Sequence, residues 1–195
     1  MNIKRLALFG VPILALAAVM PLSATAGGAQ HVQWDIVSLV GGGPPGPINP
    51  GGHASAMAPD GDMITLTGHG TFVAPATSGG TGAVTGGGTW ETSSASGTYE
   101  VTGLVSWAFA NRWSATPTFI DNIGDLSARA NGTAVLRIRF SNGQSGVLTV
   151  GCHGPGAPPG IIEGITTTKG FKTYYEAEEP VGGVDANRTL FHILK

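Results

Sequence analysis

Over no stretch of this chain do apolar residues keep a 3.6-residue period through three turns; they alternate in short runs cut by glycine and proline. Alternation places every second side chain on one face, the pattern of a half-buried strand. Glycine supplies 32 of the 195 residues, about twice the usual share, and the breaks between runs are where most of it falls. There is no Gly-X-Y repeat, so the glycine is not collagen's, and with 42% hydrophobic residues the chain has enough apolar surface for a core. The expected fold class is all-β: a single-domain antiparallel β-barrel or β-sandwich of about eight to ten short strands, with long Gly/Pro-rich loops.

Individual runs sharpen this. In 30–40, Val32, Trp34 and Ile36 share one face and Gln33 and Asp35 the other. Residues 41–52 hold four prolines and six glycines and read as a loop. Asp60-Gly61-Asp62 marks a turn, and 63–74 follows as one strand whose Gly68 and Gly70 call for a bend or a close backbone approach. A second glycine-rich loop is expected over 75–88, then a hairpin of 89–92 with 97–109. A four-residue loop, 93–96, would set Trp90 opposite Tyr99, a favourable cross-strand aromatic pair. Residues 111–124 read as irregular with a helical turn near Ile120, and 126–130 as a short strand. For the hairpin of 133–140 with 146–150, a three-residue loop Ser141-Asn142-Gly143 matches the apolar faces, setting Leu136 opposite Leu148 and Ala134 opposite Val150. Residues 151–160 read as a loop, 161–168 and 171–176 pair around Lys169-Gly170, and 188–194 closes the fold.

The first 26 residues read as an address. Lys4 and Arg5 precede an uncharged apolar run, 6–20, and Ala24-Thr25-Ala26 follows as a small-residue cleavage site. These are the three parts of a secretory signal peptide, and the apolar run is short for a membrane span of about 20 residues. The expectation is a signal peptide over 1–26, cleavage after Ala26, a single all-β domain over 27–195, export from the cytoplasm and no stable membrane insertion afterwards. Without Lys4 and Arg5 the chain keeps eight basic against twelve acidic residues, a formal charge of −4, with no basic stripe. Nucleic acid is therefore not an expected partner. Cys152 is the one cysteine, so the fold cannot lean on an internal disulfide.

Catalytic motifs are absent: no Gly-x-Ser-x-Gly, phosphate loop, His-Glu-x-x-His or Cys-x-x-Cys occurs. Imidazole and thiolate bind zinc or copper, and His69, Cys152 and His153 lie beside glycines that leave room around them. They are the candidate metal ligands, with structural histidines and a buried thiol as the alternative. A mature chain starting at His31 would present an α-amino group and an imidazole, the copper brace of oxidative polysaccharide-cleaving enzymes, but cleavage after Gln30 breaks the small-residue rule. Glu91 with Glu100, and Glu163 with Glu176, are carboxylate pairs of the type glycosidases use; in the Trp90–Tyr99 register the first two are diagonal neighbours.

Trp34, Trp90 and Trp107 alternate with apolar residues and read as core, whereas Trp113 falls in a loop and is the candidate ligand contact. Gly-Thr-aromatic occurs three times, ending in Phe72, Trp90 and Tyr99; the glycine releases the turn and the ring plugs the core. The strings Gly88-Thr89-Trp90 and Gly97-Thr98-Tyr99-Glu100 resemble those of avidin-type barrels over these few residues alone, and no ligand-binding residue carries across. The expected role is non-catalytic: binding a small molecule or glycan, or serving the envelope or extracellular matrix. The alternative is a zinc or copper protein using His69, Cys152 and His153.

Overall fold

A computed structural model describes residues 29–41, 43–75, 83–178 and 187–194; the expected signal peptide and its cleavage site lie outside them. In chain order the strands are β1 (Gln30–Leu39), β2 (Pro47–Pro50), β3 (Ala54–Met57), β4 (Met63–Leu66), β5 (His69–Ala74), β6 (Val84–Thr92), β7 (Ser96–Arg112) and β8 (Ile120–Asp121). A 3-10 turn (Leu126–Ala128) then precedes β9 (Arg129–Phe140), β10 (Ser145–Cys152), β11 (Gly164–Lys169), β12 (Lys172–Tyr174), β13 (Glu176–Glu178) and β14 (Arg188–Leu194).

The strands form a closed antiparallel β-barrel with extra strands beside it. Among the described residues the ring runs β1–β5–β6–β7–β9–β14 and back to β1, antiparallel at every step. Closure removes the open edge that a flat sheet would present. β10, β11 and β12 extend from the free half of β9, and β4, β3 and β13 extend from β6.

The core follows from the alternation. Val32, Trp34 and Ile36 are buried on β1, and Phe72, Trp90 and Tyr99, the three aromatics of the repeated tripeptide, are buried as well. Trp107 packs edge-on against Phe191 and Phe72, with ring centres 4.7 and 5.5 Å away. Glycines make room for these rings. A Cβ on Gly70 would come 2.8 Å from Trp34 Nε1 and 2.2 Å from the Thr85 carbonyl, so the close approach expected at Gly68 and Gly70 is present. The hairpin of β9 with β10 has the expected register, Leu136 opposite Leu148 and Ala134 opposite Val150, with Gly143 at φ +87°. The hairpin expected around Lys169-Gly170 is present but shifted by one residue: Lys169 pairs with Lys172, the turn is Gly170-Phe171, and β11 starts at Gly164.

Other segments depart from expectation. Trp90 lies opposite Gly97, not Tyr99, because the β6–β7 turn tightens to close on Thr92 and Ala95. The indole rests on Gly97, where a Cβ would sit 2.9 Å from Nε1, and Nε1 donates to the Thr98 carbonyl. Glu91 consequently faces Ser96 and Glu100 faces Gly87, so those two carboxylates are not neighbours. The 63–74 strand breaks at Thr67-Gly68, where the Tyr99 hydroxyl donates to the Thr67 carbonyl at 2.8 Å. Within the expected loops, Pro47–Pro50 pairs with β1, and Gly86 to Gly88 belong to β6. Ile120 forms a short parallel pair with Pro47 instead of a helical turn; the turn falls at Leu126–Ala128.

Candidate binding cavity

The outward face of β1 and β14 is covered as well. Cross-strand partners share a face, so Gln33, Asp35 and Val37 stand with His192, Leu190 and Arg188. The chain leaving β7, from Trp113 through Phe119 to Asp121, packs across this face. Loop 153–157 joins it, pinned by the buried Asn131: Oδ1 accepts from Gly154 N–H at 2.8 Å, and Nδ2 donates to Asn111 Oδ1 at 2.8 Å.

This outer layer has two parts. The first is polar and closed. His192 Nε2 lies 3.0 Å from Asp121 Oδ2, and both side chains are essentially without solvent contact. Asp121 Oδ1 accepts from Ile123 and Gly124 N–H, and the Arg129 guanidinium stands 3.9 Å from Oδ2. Burial pushes the Asp121 carboxyl up, but the His192 hydrogen bond and those N–H donors outweigh it and hold it below the usual range. On Asp35 burial wins: its carboxyl is raised, although Gln33 Nε2 donates to it at 2.8 Å.

The second part is a cavity of about 430 Å³, within the range typical of small-molecule sites. Val37 and Leu39 of β1, Ile48 of β2, Trp113 and Phe119 form its apolar walls, and Glu163, Arg188 and His153 are its charged or titratable lining. Trp113 is fixed in place. Its ring lies against the backbone of Gly154, where a Cβ would come within 2.1 Å, the Arg129 guanidinium sits 4.6 Å from its centre, and Phe119 packs edge-on at 5.8 Å. Glu163 joins two walls: Oε1 accepts from Thr189 N–H at 2.8 Å, and Oε2 accepts from His153 N–H. Burial pushes the Glu163 carboxyl up to about 7, against the pull of those two N–H donors and of the Arg188 charge.

The sequence candidates separate in this setting. Trp113 and His153 line the cavity. Cys152 is fully buried, and burial, with Glu163 nearby, raises its thiol well above the ordinary range. His69 is exposed on β5, opposite Asp35 and Gly87, and is not part of the cavity lining. The His153 ring pairs its Nδ1 with the Ile161 carbonyl at 2.9 Å. Among the described residues no three His, Cys, Asp or Glu side chains converge as a metal-binding group. His31 lies within β1, with Gln30 before it paired to Ala74. Glu176 is exposed in β13, opposite Met57, while its supposed partner Glu163 is at the cavity.

Sequence reasoning missed Arg188 altogether and weighed Glu163 only as half of a carboxylate pair. The one local signal for Arg188 is a charge opening a mostly apolar strand. No protein-family model, no curated protein and no solved structure matches the chain.

Proposed function

We propose that the protein is an exported, non-catalytic binding protein that holds a small, largely apolar molecule in the cavity over β1 and β14. The observation that carries this reading is the cavity itself: apolar walls, a fixed tryptophan and a few polar groups in one concave space of about 430 Å³. The sequence adds the export signal at its start. A glycan is the weaker fit, since Val37, Leu39, Ile48 and Phe119 offer a sugar's hydroxyl groups no partners. The metal alternative gains nothing from His69, which stands away from the cavity residues.

The test is a titration with N-phenyl-1-naphthylamine, an uncharged apolar fluorophore, following its emission. One saturable site per chain is expected. Leu39→Trp, which fills the space from β1, should abolish it while leaving the far-UV spectrum unchanged. A wild-type protein that binds no probe, or a Leu39→Trp variant that binds as well as wild type, would remove the basis of the reading.

A further inference from the structure

The cavity is lined by a carboxyl and a guanidinium, and they are not equally available. Both oxygens of Glu163 are taken by backbone N–H groups, one from Thr189 and one from His153. That carboxylate is spent on tying the start of β14 to the end of β10. Arg188 lines the same space from the β14 position that pairs with Val37, and its Nε is buried with no hydrogen-bond partner. The neighbouring Arg129 also has a buried nitrogen without a hydrogen-bond partner, Nη1, but it lies against Trp113, outside the lining, and its Nε donates to the Leu126 carbonyl beside the Asp121 carboxylate. A ligand entering the cavity therefore meets a carboxyl hydrogen-bonded on both oxygens and a guanidinium whose Nε–H has no hydrogen-bond partner. An amine would have to share Glu163 oxygens that already accept from the backbone, while an anion would find a donor at Arg188.

Resting on the binding reading above, we propose that the ligand is an organic anion, its apolar body against Trp113, Phe119 and Ile48 and its carboxylate or sulfonate on Arg188. A planar guanidinium matches the two oxygens of such a head group and is strengthened by the low-polarity walls. A neutral molecule of the same shape keeps the apolar contacts and loses the charge-assisted hydrogen bond.

Two probes sharing one ring system separate these cases: 8-anilinonaphthalene-1-sulfonate and N-phenyl-1-naphthylamine. The full mature chain should bind the sulfonate about tenfold more tightly, the size of one charge-assisted hydrogen bond. Arg188→Gln should weaken the sulfonate about tenfold and the amine much less, and Arg188→Lys should restore most of the sulfonate loss. Competition needs no variant: 1-naphthoate should displace bound probe about tenfold better than 1-naphthamide. Equal affinity for both probes, equal displacement by acid and amide, or an Arg188→Gln loss shared equally by both probes would overturn the anion proposal and leave the cavity reading standing. Absence of saturable binding by either probe would instead defeat the cavity reading itself.

Discussion

On one face of β1, Val32, Trp34 and Ile36 meet aromatic rings fitted over glycines; on the other, Asp35 and Val37 meet a histidine, two arginines and a cavity. Both faces are shielded from water, yet by different means. Inside the barrel, shape does the work. Gly68, Gly70 and Gly97 lie under Trp34, Tyr99 and Trp90, at distances that leave no room even for a methyl group. Outside, the cover is irregular chain from two segments, 113–121 and 153–157, held by directed bonds to Asp121, Asn131 and Glu163. Close packing leaves no space for a ligand, whereas a polar framework spanning a loop can enclose one. The contrast locates stability in the barrel and binding in its cover.

The contrast breaks most severely at Trp34. Trp34→Ala empties a fully buried site floored by the backbone of Gly68 and Gly70, and it should cost about 3–5 kcal/mol in urea unfolding. A loss below about 1 kcal/mol would show a looser interior than close packing implies. In the cover the corresponding change is Asp121→Asn. It keeps the side chain's volume but removes the charge facing His192 and Arg129, both buried. The expected cost is about 2–3 kcal/mol, and the naphthylamine site should weaken because Arg129 also supports Trp113. Trp34→Ala, measured where it remains folded, should affect binding less than Asp121→Asn does.

A third change sharpens the comparison through pH. The Glu163 carboxyl titrates near 7 in the fold, above its unfolded value of 4.5. Between these values the folded chain holds a proton that the unfolded chain has released, so this group's contribution is complete below pH 4.5 and is lost as pH rises through 7. A shift of this size corresponds to roughly 3 kcal/mol at most; water reaching the cavity reduces it, leaving about 1–2 kcal/mol between pH 5 and pH 8. Glu163→Gln should flatten that slope while lowering stability at both pH values, because an amide offers one acceptor where the carboxylate offers two. An unchanged slope in Glu163→Gln would move the titration to another group.

The same division between barrel and cover decides what was legible in the sequence. The β9–β10 hairpin could be read to the residue, because Ser141-Asn142-Gly143 fixes the loop and only one register matches the apolar faces. The β6–β7 register could not. Pairing ring with ring ignored the option of ring over glycine, and the indole on Gly97 excludes the other alignment. The runs 47–50 and 84–88 looked like loops because proline and glycine are poor strand formers. They pair all the same, one with β1 and the other with β5 and β7, where partners on neighbouring strands override propensity. The cavity was legible only in part. Trp113 stood out as an aromatic in a loop, but the walls come from β1, β2, three connecting segments and β14, and no local pattern marks residues that meet only after closure. Glu163 and Arg188 are 25 positions apart, too far for spacing to carry information.

The smallest effect is expected on the surface, where Lys172 Nζ stands 2.9 Å from both Asp60 and Asp62. The Lys172 hydrogen bond, helped by those of Ser93 and Tyr174, lowers the Asp62 carboxyl to about 2. Here the sign opposes that of Glu163. The contribution is present above the unfolded value of 3.8 and is lost as pH falls through about 2. Water and salt surround this pair, so Asp62→Asn should cost under about 1 kcal/mol near pH 7, less in 1 M salt and nothing near pH 2. Measured beside Glu163→Gln, it gives two variants with opposite pH dependence in one protein. If Asp62→Asn proved as costly as Asp121→Asn, the exposed pair would be bearing load like the buried one. Burial would then not be what distinguishes the cover's framework from the surface around it.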